Sequence, residues 1–165
     1  MTTLSSRKII RNAIRDYISA GNVTNLNQVF ISFPKRINYQ EQASPGQLNR
    51  AAGVVHFAHE DESRLAWGGQ YSGWKRVDYS VKFQIFHLSM EKTAENAMDS
   101  FDTIIDGVKA LLRAGNHAVG LSDGSVWQIA EPAITVDYGE PWINGNGNIE
   151  IWASVDFTAT QMINA

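Results

Sequence analysis

The sequence predicts an α+β fold: a single domain in which a mostly antiparallel sheet carries an N-terminal helix and one long central helix packed on one face. Three observations lead there. First, Val77, Tyr79, Val81, Phe83 and Ile85 alternate with Asp78, Ser80, Lys82 and Gln84, which gives a strand one apolar face. Second, the period then changes: Ala94, Ala97, Met98, Phe101, Ile104, Ile105, Val108, Leu111 and Leu112 recur at threes and fours, filling a helical stripe roughly 140° wide. Third, Ile149, Ile151, Ala153, Val155 and Phe157 alternate with Glu150, Trp152, Ser154 and Asp156, a second half-buried strand. The order helix, strands, long helix, strands gathers the helices over one face of the sheet.

The 165 residues, 44% hydrophobic and 19% charged, suffice for one ordinary core and give no reason to divide the chain. A net charge of -3 provides no broad pull toward nucleic acid or anionic lipid. Cysteine is absent, which excludes disulfides, thiolate catalysis and cysteine zinc sites and suits a reducing cytoplasm. Met1 to Arg15 interleaves bases with isoleucines, and no stretch approaches the ~20 apolar residues of a membrane span. A soluble, unexported chain with no membrane partner is the expectation.

In chain order, Ser6 is placed to cap a first helix whose apolar face is Ile9, Ile10, Ala13, Ile14, Tyr17 and Ile18 and which stops at Ala20-Gly21-Asn22. Arg7, Arg11 and Arg15, four apart with Lys8 nearby, make the one dense basic stripe; it is a solvated face unless an acidic partner or phosphate meets it. Val29 to Ser32 reads as a short strand stopped by Phe33-Pro34. Lys35 to Arg50 lacks periodicity and turns at Pro45-Gly46, a loop long enough to be functional or mobile. Val54 to Phe57 restarts a strand, Glu60-Asp61-Glu62 is expected at a hairpin tip, and the chain returns through Arg64 to Trp67 and a Gly-aromatic linker, Gly68 to Trp74.

The long helix has Glu91 and Glu95 at its start and Lys109 and Arg113 near its end, and Gly115 is expected to close it in the left-handed conformation. Gly107 costs about 1 kcal/mol relative to Ala in a helix interior, yet it falls beside Asn96, Ser100 and Thr103, a flank of small groups where another backbone can come close. The other flank carries Glu95, Asp99, Asp102 and Asp106, whose like charges repel at spacings of four. Asp123-Gly124 is a hairpin signal before a strand at Val126 to Ile129. Another strand follows at Ala133 to Tyr138, and Gly145-Asn146-Gly147-Asn148 turns the chain into the last one.

Chemistry is sparse. His56, His59, Glu60, Asp61 and Glu62 are the nearest approach to a metal cluster, but a regular strand would put the two histidines on opposite faces. His87, expected on the polar side of the central strand, and His117 in a loop read as surface histidines. No nucleophile elbow or phosphate-loop pattern accompanies them, and Gly145-Asn146-Gly147 precedes a strand instead of opening a helix. No catalytic, cofactor or metal site is expected, and hence no enzyme. The five tryptophans are more informative: Trp127 lies in a strand, Trp152 on the polar face of the last strand, and Trp67, Trp74 and Trp142 beside glycine-rich turns. Some must be exposed unless a partner covers them, as at interface centres. A base-stacking surface would need cations among them, and only Lys75 and Arg76 beside Trp74 qualify.

Three stretches taken in order resemble the tail terminator and tail-completion (head-tail joining) proteins of long-tailed bacteriophages. They are the opening helix with its Ala20-Gly21-Asn22 exit into Val29-Phe30-Ile31-Ser32-Phe33-Pro34, the segment Arg76 to His87, and the helix Ala94 to Asp102. The passage HLSMEKTAENAMDSFDTIIDGVKALLRA in particular looks like the strand-to-helix passage of such proteins from phages with noncontractile tails. The resemblance implies a structural virion protein at the tail neck, assembled in the host cytoplasm. It would form a homo-oligomeric ring, usually a hexamer, that caps the tail tube, stops its polymerisation and offers a docking surface to the head connector. Genome DNA would pass through the lumen without specific binding, and no catalytic residue is carried over.

Under that resemblance the candidate contacts come from composition: Arg7, Arg11 and Arg15, expected to meet the acidic flank with Asp102 and Asp106, or another acidic surface, of a neighbouring subunit; Lys35 and Arg36 in the long loop; Glu60 and Asp61; and Trp67, Trp74, Trp142 and Trp152. The alternatives are a neck or head-closure connector of the same virion and, from another class, a small-ligand binding module walled by the aromatic turns.

Overall fold

A computed structural model describes residues 6–65, 73–115 and 119–164. Helix α1 spans Ser6–Ala20 and helix α2 Ala94–Ala114; the strands are β1 (Leu26–Phe30), β2 (Asn49–Arg64), β3 (Trp74–Ser89), β4 (Val119–Gly120), β5 (Val126–Tyr138), β6 (Trp142–Ile143) and β7 (Ile149–Asn164). They form one sheet in the order β1-β2-β3-β7-β5-β4, with β6 on the same side of β7 as β5. All neighbours run antiparallel except β1 and β2, so the expected α+β architecture is the observed one.

The alternations read from the sequence decide which face is inner. Val77, Tyr79, Val81, Phe83 and Ile85 of β3 and Ile149, Ile151, Ala153, Val155, Phe157 and Ala159 of β7 are buried beneath the helices. Ile10, Ile14 and Ile18 of α1 and Ala97, Phe101, Ile104, Ile105, Val108 and Leu112 of α2 close that core, each set being the stripe that helical spacing aligns. Thr93 caps α2, its hydroxyl accepting from the Asn96 N–H at 3.3 Å, with Glu95 in the first turn and Arg113 in the last.

The small flank of α2 is filled by its own chain. A Cβ on Gly107 would stand 2.8 Å from Val23 Cγ1, and Asn25 Nδ2 donates to Ser100 Oγ at 3.3 Å, so the α1–β1 turn lies in the notch. Gly115 is not left-handed: its φ is -85°, and glycine is needed there for space, since a Cβ would meet Ile129 Cδ1 at 2.6 Å and Tyr17 Oη at 2.8 Å.

Several boundaries differ from those expected, for one shared reason: strand pairing extends elements beyond their local pattern. β1 runs Leu26–Phe30 and not through Ser32, because it adds in parallel to Ala51–Val54. β2 begins at Asn49 and pairs with β3 along its whole length, so Glu60, Asp61 and Glu62 lie opposite Tyr79, Asp78 and Val77 and not at a hairpin tip. The segments at 126–129 and 133–138 are one strand, β5, whose register against β7 slips between Ala130 and Thr135.

His87 is corrected from the polar to the buried face. It shares parity with Ile85, sits opposite Ala51 and Ile151, and is 1% exposed. Its ring lies 5.4 Å from that of Phe101, and neither nitrogen has a hydrogen-bond partner among the described residues. Burial pushes its pKa down to about 4.

Candidate interaction surface

Where β5, β6 and β7 meet, aromatic side chains form an exposed corner. The β6–β7 turn is set by Asn144, whose Oδ1 accepts from the N–H groups of Asn146 (3.0 Å) and Asn148 (3.1 Å), and by Gly147 at φ +78°. That turn brings Trp142 opposite Glu150, whose carboxylate accepts from Trp142 Nε1 at 3.0 Å and Asn144 Nδ2 at 2.8 Å. Trp152 lies over Gly139, whose N–H donates to the Trp152 carbonyl at 2.9 Å; a Cβ on Gly139 would stand 2.0 Å from the indole. Tyr138 reaches the helix side of the same corner, edge-on to Phe101 with ring centroids 6.3 Å apart. Burial, then the carboxylates of Asp102 and Asp106, raise its pKa. Tyr138 is 55% exposed, Trp142 58%, Ile143 68% and Trp152 43%; Trp142 and Trp152 stand on the outer face, and Tyr138 and Ile143, opposite Ala153 and Ile149, on the helix face of the same strand ends.

The long loop folds back beside this corner instead of extending from the body. Gln28 Nε2 donates to the carbonyls of Asn38 (3.2 Å) and Glu41 (3.1 Å), and Asn27 Nδ2 to that of Gln42 (3.3 Å). Gln47 Nε2 donates to the Asn49 carbonyl at 2.8 Å and to Asn25 Oδ1 at 3.1 Å. Tyr39, Phe86, Trp142, Glu150 and Trp152 line a cleft of about 50 Å³, and burial with the Glu150 charge pushes the Tyr39 phenol up to about 12. Lys35 and Arg36 are exposed on this loop, and their side chains make no hydrogen bond or ion pair with the described residues.

The other candidate residues are dispersed. Arg7 donates to Glu60, Nε to Oε2 at 2.7 Å, which raises the Arg7 pKa and holds the carboxyl below its usual range. Two expected contact residues are thus joined within one chain. Arg11 donates to the Ile31 carbonyl at 3.4 Å and lies over the Phe57 ring at 5.6 Å, and Arg15 pairs with Asp16 at 2.8 Å. Each arginine of the stripe therefore has a partner in its own chain. Asp61 pairs with exposed His59 at 3.2 Å, Asp102 and Asp106 face solvent, Trp74 is half-buried at the start of β3, and Trp67 lies outside the described residues.

A bulge between Phe57 and His59 overturns the expected separation of two histidines: His56 opposite Lys82 and His59 opposite Ser80 both fall on the outer face. Even so, no group of three metal-ligating side chains gathers among the described residues, and no described helix is long and apolar enough to cross a membrane. Sequence reasoning missed Tyr39, Tyr138, Ile143 and Glu150. Tyr138-Gly-Glu-Pro-Trp142, aromatics bracketing two turn residues before Gly145-Asn146-Gly147, is the pattern that announces them.

Among the described residues the sheet is open at both sides. β4 pairs with Val126 and Trp127, and the Ile129 N–H donates to the Gly115 carbonyl at 3.2 Å, so the free edge of β5 is its end from Ala133 to Tyr138; β1 has β2 on one side only. No protein-family model matches the chain, and no curated protein is similar to it.

Proposed function

We propose that this chain is a structural virion protein, a tail terminator whose copies form a ring on the end of a phage tail tube, stop its growth and present a docking surface to the head connector. The observation that carries an assembly role is the exposed corner of Tyr138, Trp142, Ile143 and Trp152 beside an unpaired strand edge. Apolar area and unmet backbone donors and acceptors in one place make a contact surface whose exposure is unfavourable in isolation. The tail as the site of assembly rests on the sequence resemblance of the Arg76–His87 strand and the helix after it. The cleft that Tyr39, Trp142 and Trp152 line, about 50 Å³, is far below the several hundred Å³ of a small-ligand pocket, which weighs against the aromatic turns as a pocket wall.

The test is the mass of purified protein in solution, followed by electron microscopy with tail tubes assembled without heads. A ring that sits on tube ends and arrests elongation is the expected outcome. Retention on DNA-filled heads lacking tails, with no effect on tubes, would make it a head-closure connector instead.

A further inference from the structure

We propose that the contact between copies is a head-to-tail strand addition: β1 of one copy lies along the free edge of β5 in the next, with Lys35 and Arg36 of the incoming copy against Asp137 and Glu140 of the receiving one. This rests on the ring reading and specifies its interface.

The topology fixes the geometry. β1 is parallel to β2, and β2, β3, β7 and β5 alternate in direction, so β1 and β5 point opposite ways within one sheet. Continuing the sheet from one copy into the next, helices on the same face, therefore makes β1 antiparallel to β5, the better-bonded pairing. The five residues of β1 match the exposed end of β5, where Ala133, Thr135, Asp137 and Tyr138 face solvent. A contact that joins two different edges is heterologous, the kind that builds rings.

The loop that follows β1 comes to the right end. It runs back to Asn49, which is in register with Ser89, itself paired with Ile149 at the aromatic corner. Phe30 is level with Val54, Gln84, Ser154 and Asp137 across the sheet, so in the pairing above the start of this loop in the incoming copy comes to the Asp137 end of the receiving copy's β5, while Tyr39 stays in the cleft with Trp142 and Trp152 of its own chain. Charge then selects the occupant. Lys35 and Arg36 are exposed and unengaged by the described residues, whereas the rim of the corner carries exposed Asp102, Asp106, Asp137 and Glu140. Each copy thus supplies the cations at one edge and the anions at the other, so a second copy satisfies both surfaces.

The test is a charge swap read by analytical ultracentrifugation. Lys35→Glu with Arg36→Glu, and separately Asp137→Lys with Glu140→Lys, should each raise the concentration for half-assembly about tenfold or more, less so in high salt. All four changes in one chain should restore assembly, with circular dichroism checking that each variant folds. Because the chain has no cysteine, Arg36→Cys mixed with Glu140→Cys should crosslink only between copies, and neither alone should crosslink. Wild-type rings that ignore the reversals and give no mixed crosslink would overturn this interface while leaving the ring reading intact. Crosslinking of Glu140→Cys with itself would replace it with a symmetric pair. A wild type that stays a single chain at every concentration and caps no tube would remove both proposals.

Discussion

Replacing His87 by Leu tests the reasoning about the core, because one buried group controls stability over a defined pH range. The imidazole faces the Phe101 ring, Ala51 and Ile151, with no charged side chain among these neighbours. Its folded pKa of about 4 lies below the ordinary 6.5, so between those values the unfolded chain binds a proton that the folded chain refuses. Stability is therefore complete above pH 6.5 and falls as pH drops toward 4. Each tenfold loss of proton affinity on folding corresponds to about 1.4 kcal/mol, so the full loss is about 3 kcal/mol, and about 2 kcal/mol is gone by pH 5. Glu60 has the opposite sense: its depressed folded pKa supports stability above 4.5, and that support is lost only as pH falls below it. The window from 6.5 to 4.5 is left mainly to His87.

The assay is urea unfolding followed by tryptophan fluorescence at pH 7, 5.5 and 4.5 for wild type and His87→Leu. The variant removes two buried nitrogens that have no partner among the described residues, so at pH 7 it should match or exceed wild type. Below pH 6.5 the wild type should weaken relative to it, with no change in the dependence on denaturant. Parallel losses in the two proteins would refute the assignment of His87 to a dry core.

Two glycine substitutions probe close contacts on opposite faces. Gly53→Ala puts a Cβ 2.1 Å from Phe83 Cζ in the middle of the core and should cost about 1–3 kcal/mol in urea unfolding, partly recovered by Phe83→Leu. Gly139→Ala puts one 2.0 Å from the Trp152 indole at the surface; it should change the near-ultraviolet circular dichroism of tryptophan, with a smaller loss of stability than Gly53→Ala, and both it and Trp152→Ala should impair the proposed assembly.

What the sequence disclosed is what side-chain period records. The inner faces of β3 and β7 and the stripes of α1 and α2 are buried as their spacing requires, because burial itself imposes the period. What it hid depends on partners remote in the chain. β2 continues through Glu60-Asp61-Glu62 although those residues look like a turn, since β3 offers sixteen residues of edge to pair with. His56 and His59 share a face only because one extra residue is inserted between them, and a bulge leaves no mark in hydropathy. The candidate surface was half legible: Trp142 and Trp152 stand out by composition, but Tyr39 and Tyr138 reach the corner through a loop and a strand end. Arg7 and Glu60 meet across 53 residues.

Those same irregularities bear on why a sheet with two open edges need not grow without limit. A flat head-to-tail addition repeats along a straight line and makes a filament; a ring requires each copy to turn the next by a fixed angle. Extra residues in one strand of a pair bend it and increase its twist. Between Ala130 and Thr135, β5 advances five positions while β7 advances two, from Thr158 to Asp156, so three surplus residues sit just before the docking edge. β2 carries a further surplus residue at Phe57–His59, near the other edge. Curvature is thus concentrated beside both strands that would join, where it sets the angle between copies most directly. Under the proposed interface, subunit number would follow from backbone geometry in β5 and β2, while the charges at Lys35, Arg36, Asp137 and Glu140 would decide only which edge meets which.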